Sequence, residues 1–248
     1  MEHKEYVRIV PKSDTAFLFI HGIIGTPNHF KDFIPLVPER YSVYNVLLDG
    51  HGKGVRDFSK TSMEKWKKQI DEIVEELRKS HRNIIIVAHS MGTLFALRQA
   101  IKKPEVVKAL FLLATPLKVG VKSAMFLNAF KILFTDVKPD DLAAVAYQAA
   151  YGCEIDRCLW RYLGWIPRYL ELFAEIRLIR QMVPRLKVPT FVYQSRHDEM
   201  VSGKARDYIE ENPQVTLKVL ENSSHHYYEK SDYQFLLEEF QSFLQWVE

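Results

Sequence analysis

The sequence predicts an α/β domain, a doubly wound and mostly parallel sheet with an inserted helical cap. Three observations predict it. Six short apolar runs alternate with segments of helical period, each run stops at a polar or glycine-rich turn, and one long stretch breaks the rhythm.

Residues 15–20 (TAFLFI) end in His-Gly, and residues 41–48 (YSVYNVLL) end in Asp-Gly-His-Gly. Residues 83–88 (NIIIVA) lead into His-Ser-Met-Gly, and residues 107–114 (VKALFLLA) into Thr-Pro. Residues 189–194 (PTFVYQ) lead into Ser-Arg-His-Asp, and residues 215–220 (VTLKVL) into Glu-Asn-Ser-Ser-His. Continuous apolar runs suit strands buried on both faces, as in a parallel sheet covered by helices. Between them, residues 62–80 place Met63, Trp66, Ile70, Ile73, Val74 and Leu77 at helical spacing. Residues 91–102, 203–211 and 232–247 also read as helices. Strand followed by helix, repeated, gives right-handed crossovers and a doubly wound sheet.

Residues 117–186 are far longer than one crossover helix needs and are helical in pattern near 122–134, 140–151, 156–163 and 169–182. They are expected to cap the carboxyl edge of the sheet. That divides the chain into a core of residues 1–116 and 187–248 and a cap of residues 117–186. Among the aromatic residues of the cap, Phe126, Phe130, Tyr147 and Trp160 are candidates for substrate contact. Packing the insert onto the body needs apolar residues too.

With 248 residues, 47% hydrophobic and 26% charged, the chain can build a core without metals or crosslinks. A net charge of +3, from 34 basic and 31 acidic residues, is too small and too mixed for a nucleic-acid footprint. Lys65, Lys67 and Lys68 alternate with carboxylates and read as a solvated helix face. Two cysteines, Cys153 and Cys158, are too few for a disulfide framework, and a reducing compartment is the simpler reading. No Cys/His spacing resembles a zinc site, so no metal is expected. The charged start MEHKEYVRIV lacks the apolar segment of a signal peptide. No stretch reaches the roughly 20 apolar residues of a membrane span. A cytoplasmic protein with no integral span is expected.

Ligands of open α/β sheets bind outside the carboxyl ends of the strands. Four of those ends carry the parts of an acyl-transfer site. Ala88-His89-Ser90-Met91-Gly92 lies between a strand and a helix, the context of a nucleophile elbow. Small residues on either side of Ser90 suit a tight turn, and the helix after it directs N–H groups toward developing negative charge. His21-Gly22-Ile23-Ile24-Gly25 offers a second turn, and the backbone N–H groups of Ile23 and Met91 are the candidate oxyanion donors. Asp198, with Glu199 as its neighbouring competitor, is the candidate acid that orients a histidine. His225 or His226, after the last strand, is the candidate base. His21, His51 and His197 read as loop-bracing residues.

The motifs HGIIG, DGHG, AHSMG, SRHDEMV and ENSSHH stand at the expected strand ends, and the serine–acid–histidine order follows. In these the chain resembles the α/β-hydrolase superfamily, and within it small carboxylesterases and monoacylglycerol-lipase-like proteins. The resemblance covers nearly the whole chain. It implies Ser90, Asp198 and His225 as a catalytic triad, a small-molecule carboxylic ester substrate of short- to medium-chain acyl or monoacylglycerol-like type, an acyl-enzyme intermediate and no cofactor. Thioesters, amides, carbon–carbon bonds and acyl transfer fall within the same chemistry, and a non-catalytic ligand-binding module is the alternative of another class. The chain departs from the family pattern at Ala88, Thr93 and Ser224, where glycines are common, and in lacking a glycine-rich HGGG loop. None of these removes a reacting group.

Overall fold

The computed structural model describes residues 3–248, apart from the side chains of Ala124, Phe126 and Asn128. Its sheet is built from β1 (Tyr6–Arg8), β2 (Thr15–Ile20), β3 (Ser42–Val46), β4 (Asn83–His89), β5 (Val107–Leu113), β6 (Thr190–Ser195) and β7 (Val215–Leu220). The order across the sheet is β1-β3-β2-β4-β5-β6-β7. Every neighbouring pair is parallel except β1 with β3.

Seven α-helices accompany it among the described residues: α1 (Val55–Lys60), α2 (Met63–Leu77), α3 (Met91–Lys102), α4 (Ser123–Phe134), α5 (Leu142–Ala150), α6 (Ile166–Met182) and α7 (Lys230–Val247). The period-two alternation of the strands explains why both faces need cover. Ala16, Leu18 and Ile20 of β2, with Ile84 and Ile86 of β4, join one buried cluster with Trp66, Ile70, Leu94 and Ile179. Phe17 and Phe19, with Ile85 and Val87, point the other way and join Phe111, Phe240 and Phe243. The apolar runs of the central strands are thus two interleaved half-patterns. Helix α2 starts where expected, because the Ser62 side chain accepts the N–H of Lys65.

The insert between β5 and β6 holds α4, α5, a 3₁₀ segment over Leu159–Trp165 and α6. Helix α6 is tied to the body. Arg168 donates to the carbonyls of Ser59 and Thr61, and Glu171 accepts the N–H of Met63 at 2.9 Å. Lys67 lies between Glu64 at 2.9 Å and the buried Glu175 of α6 at 3.6 Å. That corrects the reading of Lys67 as part of a solvated face, whereas Lys65 and Lys68 are exposed.

Two elements, β1 and α1, escape sequence reading because each is short and carries no long apolar run. Residues 203–211 form only a 3₁₀ segment, Gly203–Tyr208. The cysteines are unpaired, with Cys153 buried and Cys158 half-buried. Among the described residues, no helix is long and apolar enough to cross a membrane.

Candidate active site

Ser90 closes the turn from β4 into α3 with φ 51° and ψ −124°. A non-glycine residue in that region carries about 1–3 kcal/mol of strain and persists only where its surroundings hold it. They do so here. The Ser90 N–H donates to Leu113 O at 2.9 Å, and the Thr93 N–H and hydroxyl donate to Ser90 O at 2.9 and 2.7 Å. Thr93, at a departure from the family pattern, therefore adds a hydrogen bond to the turn. Gly92 lies against the backbone of Ile20 and His21, where any Cβ would overlap their carbonyl oxygens. A Cβ on Gly22 would stand 2.9 Å from the Cβ of Ser90. Gly92 is required because backbone passes this close to backbone, and Gly22 because the Ser90 side chain stands against it.

His225 is buried on the loop after β7. Its Nε2 is 3.0 Å from Ser90 Oγ, and its Nδ1 is 2.8 Å from Asp198 Oδ2. The other carboxylate oxygen of Asp198 accepts the N–H groups of Met200 and Val201 at 2.8 and 2.7 Å, which fixes the carboxylate plane. Glu199 accepts the backbone N–H of His225 at 3.0 Å. The two neighbouring carboxylates thus face one histidine, one at the ring and one at the main chain. Burial pulls the His225 pKa down, but Asp198 and then Glu199 outweigh it, and the net shift is upward. His226 points elsewhere. Its ring meets Tyr147 edge-on at 5.2 Å, and burial pushes its pKa well below 6.5.

Ile23 borders the same cavity as Ser90 and His225. Met91 is the first residue of α3, among the helix-start N–H groups that lack an intrahelical acceptor. The Ile23 loop is braced from two sides. His21 Nε2 accepts the N–H of Leu48 at 3.1 Å, which leaves Nδ1–H to donate to Gly22 O at 2.8 Å. Gly152 of the insert donates to Ile24 O at 2.6 Å and packs directly on Gly25.

A cavity of about 560 Å³ opens from Ser90 beneath the insert. Its walls include Tyr147, Trp165, Leu172, Ile176 and Met200. Tyr147 thus stands where substrate contact was expected of it. Phe130 and Trp160 do not. They are 58% and 79% exposed, and neither lines the cavity. The insert turns those rings outward while Trp165, donating from its indole to Val55 O at 3.0 Å, turns inward. Phe126 lies on α4, with its side chain outside the described residues. Sequence reading missed Glu199 as a partner of the His225 main chain, and His29 and His89 as neighbours. His89 stacks on His29 at 3.9 Å and bonds His225 O through Nε2 at 3.2 Å. Position next to Ser90 was the available signal for His89, and for His29 there was none.

Nitrogens of His89, His225 and His226 lie within 4.8 Å of one another, the one such grouping found among the described residues. Both nitrogens of His225 already serve Asp198 and Ser90, so the trio does not offer the free ligands of a closed metal site.

The model of the alpha/beta hydrolase family matches residues 17–238. The chain belongs to the alpha/beta hydrolase family. This alpha/beta hydrolase is 22% identical over 222 residues to a carboxylesterase of Bacillus subtilis, spanning 86% of this chain and 85% of that one. Among solved structures it is similar to one from work on LipS and LipT, two metagenome-derived lipolytic enzymes. The TM-score there is 0.74, with 19% identity and 98% of both chains covered. A monoacylglycerol lipase of Paleococcus ferrophilus follows the same path at a TM-score of 0.67, with 20% identity over 98% of this chain and 99% of that one.

Proposed function

We propose that this alpha/beta hydrolase cleaves carboxylic esters through an acyl-enzyme, with Ser90 as nucleophile, His225 as general base and Asp198 as the orienting acid. The observation that carries the proposal is the continuous hydrogen-bonded line from Ser90 Oγ through the His225 ring to Asp198, at 3.0 and 2.8 Å. The carboxylesterase and lipase relatives support it.

His225 Nε2 takes the hydroxyl proton as Ser90 Oγ bonds to the carbonyl carbon. The resulting oxyanion is held by the N–H groups of Ile23 and Met91, fixed before reaction by the strained turn and the braced loop. As the carbon–oxygen bond to the alcohol breaks, His225 returns the proton to the leaving oxygen. Water then repeats the cycle on the acyl-enzyme and frees the acid. Asp198 keeps the Nδ1 proton in place and stabilises the charged ring, in line with the upward pKa shift. Residues 117–186 act as a cap, and the apolar cavity beneath them takes the acyl chain. A volume of about 560 Å³ suits a chain of medium length.

The decisive experiment is fluorophosphonate labelling together with turnover of p-nitrophenyl esters from acetate to palmitate. Ser90→Ala should abolish labelling, and Ser90→Ala or His225→Ala should lower kcat by about 10⁴-fold or more. A wild-type protein that neither labels nor turns over any of these esters would end the proposal.

A further inference from the structure

Two of the rings around His225 take no part in ester cleavage. His89 donates from Nε2 to His225 O at 3.2 Å, and His226 Nδ1 is buried without a hydrogen-bond partner. A nitrogen of each of His89, His225 and His226 lies within 4.8 Å of the others, and all three rings line one narrow neck beside Ser90. Zn²⁺ takes four ligands in a tetrahedron at about 2.0–2.1 Å from nitrogen, which sets ligand nitrogens roughly 3.4 Å apart. From within 4.8 Å, the rings have at most about 1.4 Å to close, and small turns of the side chains supply that.

The far sides of the rings are arranged for it. A metal-bound histidine gives its other N–H to a carboxylate or a carbonyl, which fixes the tautomer and strengthens the ligand. His225 Nδ1 faces Asp198 at 2.8 Å, so its lone pair is on Nε2, turned to Ser90 Oγ at 3.0 Å. His89 Nε2–H goes to a carbonyl, so its lone pair is on Nδ1. That nitrogen is on the Ser90 side, since His89 Nδ1 and Ser90 Cβ stand 3.4 and 2.9 Å from the same point above Gly22. His226 offers Nδ1, and a buried nitrogen that no protein group satisfies is costly and points to a ligand.

We infer that His89, His225 and His226 take up a Zn²⁺ ion reversibly, with water in the fourth position, and that the ion shuts the hydrolase off by drawing His225 Nε2 away from Ser90. This rests on the ester-hydrolase reading and adds to it a means of regulation. The site is open and competes with the serine, unlike a closed structural one. Mg²⁺ and Ca²⁺ prefer oxygen ligands, which the trio lacks. His226 lines both the neck and an open outer chamber of about 280 Å³, which gives the ion its approach.

The test is titration calorimetry with ZnCl₂ on Ser90→Ala, which reads binding without turnover, beside turnover of p-nitrophenyl octanoate by the wild type. Zn²⁺ at up to about 100 μM should bind one to one and stop turnover, EDTA should restore the rate, and Mg²⁺ and Ca²⁺ should leave it unchanged. The wild type should bind Zn²⁺ about two- to tenfold more weakly than Ser90→Ala, because there the ion displaces a hydrogen bond. Added to Ser90→Ala, His226→Phe keeps a ring without nitrogens and should weaken binding by about 100-fold or more, and Asp198→Asn by about 10- to 100-fold. Asp198→Asn keeps the shape of the side chain, so it carries the test where His226→Phe folds poorly. Absence of binding, binding that survives both changes, or wild-type binding as tight as that of Ser90→Ala overturns the inference. Binding without inhibition overturns it too. A wild type that turns over no ester, while Ser90→Ala still binds Zn²⁺ through His226, removes the hydrolase reading and leaves the metal site standing. Turnover that Zn²⁺ does not touch removes only the metal site.

Discussion

The strand ends that carry Ser90, Asp198 and His225 differ from the helical insert above them in what holds each side chain in place. At the strand ends the backbone decides. Ser90 has a left-handed φ, Gly92 is pressed on the carbonyls of β2, and Asp198 is held by two main-chain N–H groups. In the insert, side-chain packing decides. Tyr147 and Trp165 are 5% and 6% exposed, while Phe130 and Trp160, of similar chemistry and nearby in sequence, face solvent. Backbone constraints restrict which residue types fit, so they leave marks in a sequence. Packing direction in a short, irregular helical region leaves few.

The sharpest way to break that comparison is Gly92→Ala. One methyl group at a place with no side chain to yield should cost about 3 kcal/mol, at the upper end of overpacking. Urea unfolding would measure it, and fluorophosphonate labelling should fall with it. A variant of wild-type stability that still labels would show that the elbow is held less tightly than its contacts imply.

This contrast also accounts for what the sequence discloses. Helix Met91–Lys102 and strand Val215–Leu220 match their expected spans, because a serine followed two residues later by Gly92 starts the first and an apolar run defines the second. Strand Tyr6–Arg8 was missed, since it is three residues long, largely exposed and antiparallel at the edge. The three residues expected to carry chemistry were legible because each follows an apolar run. The choice of His225 over His226 was not legible from the residues, since adjacency in a loop does not say which ring turns toward Asp198. His29 was invisible for a different reason. It sits in a short 3₁₀ segment, Pro27–Phe30, with no motif around it, and only the fold stacks it on His89.

The next prediction concerns acid. His21, His51 and His89 are buried and His29 and His226 half-buried, all with lowered pKa values, and the insert contains no histidine. Each of these rings binds its proton more readily in the unfolded chain. The stability they contribute is complete above pH 6.5 and is lost as pH falls through the window below it, down to about 4 for His51. His225, with its pKa raised, opposes the trend but is one ring against five. Urea midpoints should therefore fall steadily from pH 7 to pH 5. His51→Phe, which keeps an aromatic ring beside Phe58 and Trp66, should flatten the slope by up to about 1.4 kcal/mol per pH unit. An unchanged slope would mean that acid acts on the body through other groups.

The smallest expected effect tests the insert. Trp160 is a large aromatic residue in the aromatic-rich insert, and sequence reading made it a candidate for substrate contact. Its exposure of 79% and its absence from the cavity wall argue that it contributes to neither packing nor binding. Trp160→Ala should therefore shift stability by no more than about 0.5 kcal/mol, the range of ordinary surface changes. Its kcat/KM across p-nitrophenyl esters should follow the wild type at every chain length. A selective loss with the longer esters would show that the cap swings Trp160 inward over bound substrate. In that case packing within the fold would understate which residues of the insert meet the acyl chain, and the division between a rigid site and a permissive insert would have to be redrawn around movement of the insert.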